Sequence, residues 1–174
     1  MQKYIFFISF FFFACTTNNS EKTTTTQETK VASLSPETTT KLEGLITSYL
    51  SLKDALVKTD AKAAKTQAIS LAEMTKGLLQ EQSLTSQIAE IQANASLLAA
   101  TEDVEKQRLA FSAISHATYD LAKMTGIKKG KLFKQFCPMA FHDKGDFWLS
   151  AEKQVMNPYF GNQMLHCGKV QEEL

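Results

Sequence analysis

The 174-residue sequence has almost no net charge: 19 Lys and Arg stand against 18 Asp and Glu. Lys3 lies ahead of every acidic residue, so from residue 15 onward 18 basic residues face 18 acidic ones. A chain without a basic surplus lacks the electrostatic footprint that holds nucleic acid. No run is long enough to cross a bilayer either, because the apolar stretch from Tyr4 to Ala14 falls short of the roughly 20 residues required. The motifs of serine hydrolysis (GxSxG), zinc proteolysis (HExxH), phosphate binding (the Walker-type loop) and dinucleotide binding (GxGxxG) are all missing. Cysteine is scarce, with three in the chain and no CxxC pair, which makes a weak redox candidate. These absences point away from an enzyme, and the length allows one globular domain with attached segments but not two large domains.

Six of the twelve Phe precede residue 14, in a short apolar block that follows Met1-Gln2-Lys3. One positive charge and a short apolar core have the form of an export signal. The block ends on Phe12-Phe13-Ala14-Cys15 and gives way at once to Thr16-Thr17-Asn18-Asn19-Ser20. Residues 1–14 thus resemble a bacterial lipoprotein signal, with Phe12 and Phe13 in place of the usual Leu or Val and small residue. The resemblance implies that Cys15 becomes a diacylated N-terminus, anchoring the protein to a membrane in the periplasm or cell envelope. Two acyl chains suffice for a stable anchor, at about 0.8 kcal/mol per buried methylene. An ordinary cleaved signal with an incidental Cys15 is the alternative.

Ten of the 25 residues from Thr16 to Thr40 are Thr. With few apolar side chains to offset the entropy of ordering, residues 15–34 read as a flexible tether. Helical signals then begin at Ser35-Pro36-Glu37, a capping Ser with Pro at the first helical position. Leu42, Leu45, Tyr49, Leu52 and Leu56 step by three and four, as do Ala64, Ala68, Leu71, Thr75 and Leu78, with Thr59-Asp60 breaking the chain between the two sets. Leu84, Ile88, Ile91, Ala95 and Leu98 make a third stripe. Val104, Phe111, Ile114 and Leu121 make a fourth, capped by Thr101-Glu102-Asp103 and closed by Gly126. Four helices on short connections predict an all-α fold, an antiparallel up-down bundle over residues 35–127. The helical spacing puts His116 on the solvent side of the fourth helix, as a solvated surface histidine.

Residues 128–174 differ in composition. Lys128, Lys129, Lys131 and Lys134 surround Gly130 and read as a solvated connector, with lipid headgroups or an acidic partner as a second possibility. Leu132, Phe133, Phe136, Phe141, Phe147, Trp148, Tyr159 and Phe160 then crowd together with Gly and Pro, predicting a small, irregular, aromatic-rich module with short strands, packed on the bundle. This module holds both remaining cysteines. Cys137-Pro138-Met139 places two sulfurs at i and i+2, on one face of an extended segment. Met164-Leu165-His166-Cys167 places two more at i and i+3, within one turn. With Met156 in reserve, and His142 and His166 as possible further ligands, this soft donor set suits Cu(I) or Ag(I). Zinc is possible if Cys137, Cys167, His142 and His166 converge. The cysteines can equally form a disulfide, worth roughly 3 to 4 kcal/mol on an entropic model, with Met139 and Met164 as core filler.

The run Phe136-Cys137-Pro138-Met139-Ala140, then Gly145, Trp148-Leu149-Ser150, Asn157-Pro158-Tyr159-Phe160-Gly161, Met164 and Cys167-Gly168 resembles a domain family of unassigned function. Its members occur alone in secreted or lipid-anchored proteins and fused to periplasmic adaptor (membrane-fusion) subunits of copper and silver efflux systems. The match takes in residues 36–174. It implies a part in heavy-metal handling, with an efflux adaptor as partner. The Cys-Pro-Met core is also similar to a Cys-Pro-Met-His-Pro metal-binding motif of such adaptors, although Ala140 and Phe141 stand in place of His and Pro.

If Cys15 carries the lipid, Cys15→Ser should release the protein from membranes or leave it unprocessed. Intact-mass measurement checks this, and an unlipidated mature N-terminus elsewhere would contradict it.

Overall fold

Helices begin where the capping signals stand. In the computed structural model, which describes residues 34–174, α1 spans Pro36–Val57 and the Ser35 hydroxyl accepts from the Thr38 N–H at 3.0 Å. Thr59 then turns the chain at positive φ, and Asp60 caps α2 (Ala61–Lys76) by accepting from the Ala63 N–H at 2.9 Å. α3 covers Thr85–Ala99. Asp103 caps α4 (Val104–Thr125), accepting from the N–H groups of Glu105 and Lys106, and Gly126 closes that helix in the left-handed region. The signal, Cys15 and the tether through residue 33 lie outside the described residues.

The four stripes become one core. Leu42, Leu45, Tyr49, Leu52, Leu56, Ala64, Ala68, Leu71, Ile88, Ile91, Ala95, Leu98, Phe111, Ile114 and Leu121 are all buried. Successive helices pack on one another in a bundle-like arrangement, α1 on α2, α2 on α3 and α3 on α4, whereas α1 and α4 meet only lightly. A strand of the C-terminal segment packs on α4 and reaches α1, covering the side that a direct α1–α4 seam would otherwise close.

That segment is more regular than its composition predicts, so the protein is mostly helical rather than all-α. Strands β1 (Phe133–Cys137), β2 (Asp146–Ser150) and β3 (Lys169–Glu173) form an antiparallel sheet in the order β2-β1-β3. Phe133, Gln135 and Cys137 alternate inward along β1, a period of two that spans only five residues. The ordered turns after β2 are cemented by aromatic packing. The Tyr159 ring lies 5.7 Å from Trp148, 6.0 Å from Phe111 and 5.0 Å from Phe141, and Phe111 stacks on Tyr49 at 5.3 Å.

Two polar anchors join the C-terminal segment to the bundle, one through the loop after β2 and one through β2 itself. The buried Arg108 of α4 donates through Nε to the Pro158 carbonyl at 3.0 Å and through Nη1 to Glu105 at 2.6 Å, while Nη2 reaches the Thr59 hydroxyl at 3.3 Å. Gly161 packs into this corner so closely that a Cβ there would lie 2.2 Å from Thr59 Oγ1. The Tyr49 hydroxyl shares a hydrogen bond with Ser115 at 2.9 Å and accepts the Leu149 N–H at 2.9 Å. Because β2 is an edge strand, this tyrosine supplies a partner for one of its backbone donors.

Tyr49→Phe removes that partner from a buried N–H, so it should cost about 1–3 kcal/mol. Urea unfolding of the variant measures the loss, and unchanged stability would show the bond to be dispensable.

Candidate functional site

The register of β1 with β3 decides what happens to the cysteines. Phe136 pairs with Lys169, so Cys137, the last residue of β1, and Cys167, two residues ahead of β3, fall at the same end of the ladder. Their sulfurs lie 3.0 Å apart, both as free cysteines, Cys137 buried and Cys167 half-buried. Gly168 makes this approach feasible. Its φ is +138°, and a Cβ there would lie 2.7 Å from the Phe136 carbonyl oxygen. Asn157, fully buried, holds the other side: its amide donates to the Cys167 carbonyl at 2.8 Å, and its Oδ1 accepts from the Tyr159 N–H at 2.8 Å.

The remaining donors are divided. Met139 and Met164 line an open cavity of about 390 Å³ together with His142, whereas Cys167 lines a different depression beside Phe136, Pro138 and Lys169. The exposed His166 uses Nδ1 on the Val155 carbonyl at 2.9 Å. Among the described residues no three His, Cys, Asp or Glu side chains are grouped to hold a metal ion. The Cys₂His₂ convergence considered for zinc is therefore not assembled.

The cysteine pair itself has the chemistry for a soft metal. Its separation lies between two bonded states, since a disulfide needs about 2.0 Å, while two thiolates on one metal, with bonds of about 2.3 Å, sit roughly 3.8 Å apart at a tetrahedral angle and up to about 4.6 Å apart in a linear two-ligand arrangement. Closing to a disulfide needs a movement of about 1 Å, and opening around a metal about 1 to 1.6 Å. In the reduced pair, the hydrogen bond with Cys137 and then burial push the Cys167 thiol up to about 11. The Cys167 thiol therefore keeps its proton near neutral pH, and either ligation or oxidation must release it.

A second polar cluster joins α4 to β2, and sequence reasoning missed it. His116 is exposed, as its helical position requires, yet its Nε2 lies 2.7 Å from Asp146 Oδ1 and its ring 4.3 Å from Phe147. Ser112 donates to the other oxygen of Asp146. The carboxylate therefore stands between serine and histidine, unlike a nucleophilic relay, in which the imidazole occupies the middle. The spacing of Ser112 and His116, one helical turn apart, was visible in the sequence, but their partner lies 30 residues beyond His116. The basic connector is also partly engaged by the chain's own end. Lys131 pairs with Glu173 at 2.8 Å, Lys128 donates to the Leu174 carbonyl, and the Lys134 ammonium lies 4.1 Å from the centroid of the Phe147 ring.

Comparison with protein families finds a domain described as a protein of unknown function (DUF3347) at residues 45–130. This region takes in most of the four helices and ends before β1. Comparisons with curated proteins and with solved structures found no match.

With its thiol raised from about 9 to about 11, Cys167 in folded, reduced protein should be alkylated at pH 8 on the order of tenfold more slowly than in unfolded chain, the loss of thiolate being partly offset by its greater nucleophilicity. The rate should climb as pH approaches 11. The same shift stabilises the reduced fold fully below about pH 9, and that contribution is lost as pH rises through about 11. Timed alkylation with mass readout checks the first claim, and equal rates in folded and unfolded protein would contradict it.

Proposed function

We propose that this protein is a non-enzymatic heavy-metal buffer of the cell envelope, anchored through lipid on Cys15. Cys137 and Cys167 take up one Cu(I) or Ag(I) as thiolates, and the metal is passed to a periplasmic efflux adaptor. The observation that supports this reading is the approach of the two sulfurs to 3.0 Å from positions 30 residues apart. Thiolates select soft cations over Mg(II), Ca(II) or Mn(II), and a two-sulfur site with no third His, Cys, Asp or Glu grouped beside it among the described residues suits a monovalent ion better than zinc, which takes four ligands. The helices, following an up-down-up-down course, provide the platform on which the sheet is held.

The same proximity favours a second reading, a structural disulfide in an oxidising compartment. The 30-residue separation would then contribute roughly 3 to 4 kcal/mol on the entropic model, and no metal would be carried.

Thiol counting on protein extracted under an alkylating quench, followed by competitive Cu(I) titration after reduction, separates the two. Metal buffering predicts free thiols in the cell and one tightly bound Cu(I), lost in Cys137→Ser or Cys167→Ser and weakened below neutral pH as protons compete for the thiolates. Oxidised cysteines in the cell together with no uptake after reduction would leave the disulfide.

A further inference from the structure

We propose that Met139, Met164 and His142 form a second soft-cation site, separate from the cysteine pair, that receives a monovalent metal ion from solvent. Its role as an entry point rests on the dithiol reading above, but its capacity to bind the ion does not.

The two chain segments that supply the thiols also supply the thioethers, on a more open side. Cys137 is fully buried, whereas Met139, two residues on, is 45% exposed. Met164 and Cys167 bracket a single turn closed by the Cys167 N–H on the Met164 carbonyl at 3.0 Å. Both methionines and His142 line the open cavity of about 390 Å³, which is walled by Phe141, Tyr159 and Phe160.

The charge of this cavity selects the ion. Its soft donors are two neutral thioethers and an imidazole, and the charged residues that also line it, Glu105 and Arg108, are paired with each other at 2.6 Å. Nothing remains to balance the second charge of a divalent ion. Sulfur and imidazole donors favour soft ions, and aromatic walls attract a cation through their ring faces. The ion that fits is soft and carries one charge.

The backbone that presents His142 is unusual. Phe141, His142 and Asp143 have φ of +52°, +60° and +61°, three successive non-glycine residues in the left-handed region. Such a run is disfavoured and persists only where surrounding contacts hold it. Here the Gly145 N–H donates to the Ala140 carbonyl at 3.0 Å, and the Phe141 ring packs edge-on against Tyr159 at 5.0 Å. The handedness of the turn sets where its side chains project, so the sequence after Cys137-Pro138-Met139 tolerates strain in the segment that places His142 in the lining of the same cavity as Met139 and Met164.

Passage from this site to the cysteines is ligand exchange without change of oxidation state. Metal–thioether and metal–imidazole bonds are replaced by metal–thiolate bonds, and two thiol protons go to solvent.

The test uses Ag(I) and the full-length chain labelled with ¹³C at the methionine methyls. In the Cys15→Ser/Cys137→Ser/Cys167→Ser variant, which has no thiol left to compete, the Met139 and Met164 signals should shift together and saturate at one equivalent, while those of Met1, Met74, Met124 and Met156 stay in place. Met139→Leu or Met164→Leu should weaken binding at least tenfold, and His142→Ala should do the same. Should the triple serine variant fail to fold, wild-type protein with its cysteines oxidised serves instead and should give the same pattern. Absence of shifts, a shift of one methionine alone, or equal shifts at every methionine would overturn the site. Failure of reduced wild-type protein to take Ag(I) at the thiols, with these methyl shifts intact, would remove the dithiol reading and leave this site standing.

Discussion

The antiparallel pairing of β1 with β3 is the constraint on which the C-terminal half depends. It converts a separation of 30 residues into a sulfur–sulfur distance of 3.0 Å. A side chain at residue 168 would collide with the Phe136 carbonyl, so glycine there is what lets Cys167 close on β1. Asn157 then satisfies three backbone groups at once, the Cys167 carbonyl and the N–H groups of Tyr159 and Phe160. Buried backbone groups left unpaired are costly, which accounts for an asparagine with no exposure at the start of the Asn157-Pro158-Tyr159-Phe160-Gly161 segment.

The helices matter to the site through what they hold. Arg108 is a buried cation whose Nε, Nη1 and Nη2 each find an oxygen, and one of these belongs to the loop that carries Asn157. Removing its partners would strand a buried charge, a far larger penalty than the net worth of any one bond. Tyr49 and Tyr159 act similarly with hydroxyls: one accepts from Leu149 on β2, and the other donates to the Phe147 carbonyl at 2.6 Å. Burial raises both hydroxyl pKa values well above the ordinary tyrosine range, so they remain neutral hydrogen-bonding groups at any physiological pH.

The helical part of the fold was legible because period and punctuation agree. Leu42 to Leu56 mark a buried stripe, and Ser35, Asp60 and Asp103 mark starts, each signal lying within a few residues of its effect. The sheet was not legible as a sheet. A five-residue strand offers only Phe133, Gln135 and Cys137 as its alternation, and the aromatic crowding around it has no period. The sulfur and imidazole side chains could be picked out as candidates from their chemistry, but their division into a cysteine pair and a cavity lined by Met139, Met164 and His142 depends on β register and on the left-handed turn at Phe141. Lys53, buried on α1 and 3.4 Å from Glu152 of the C-terminal segment, and the His116–Asp146 contact were hidden for a related reason. A charged side chain carries no hydrophobic signature, and its partner can be anywhere in the chain.

X-ray absorption at the copper edge of Cu(I)-loaded, reduced protein tests the central claim most directly. Ligation by Cys137 and Cys167 predicts a first shell containing two thiolate sulfurs, one of them lost in Cys167→Ser. A first shell of nitrogen and oxygen alone, or one unchanged by that substitution, would contradict it.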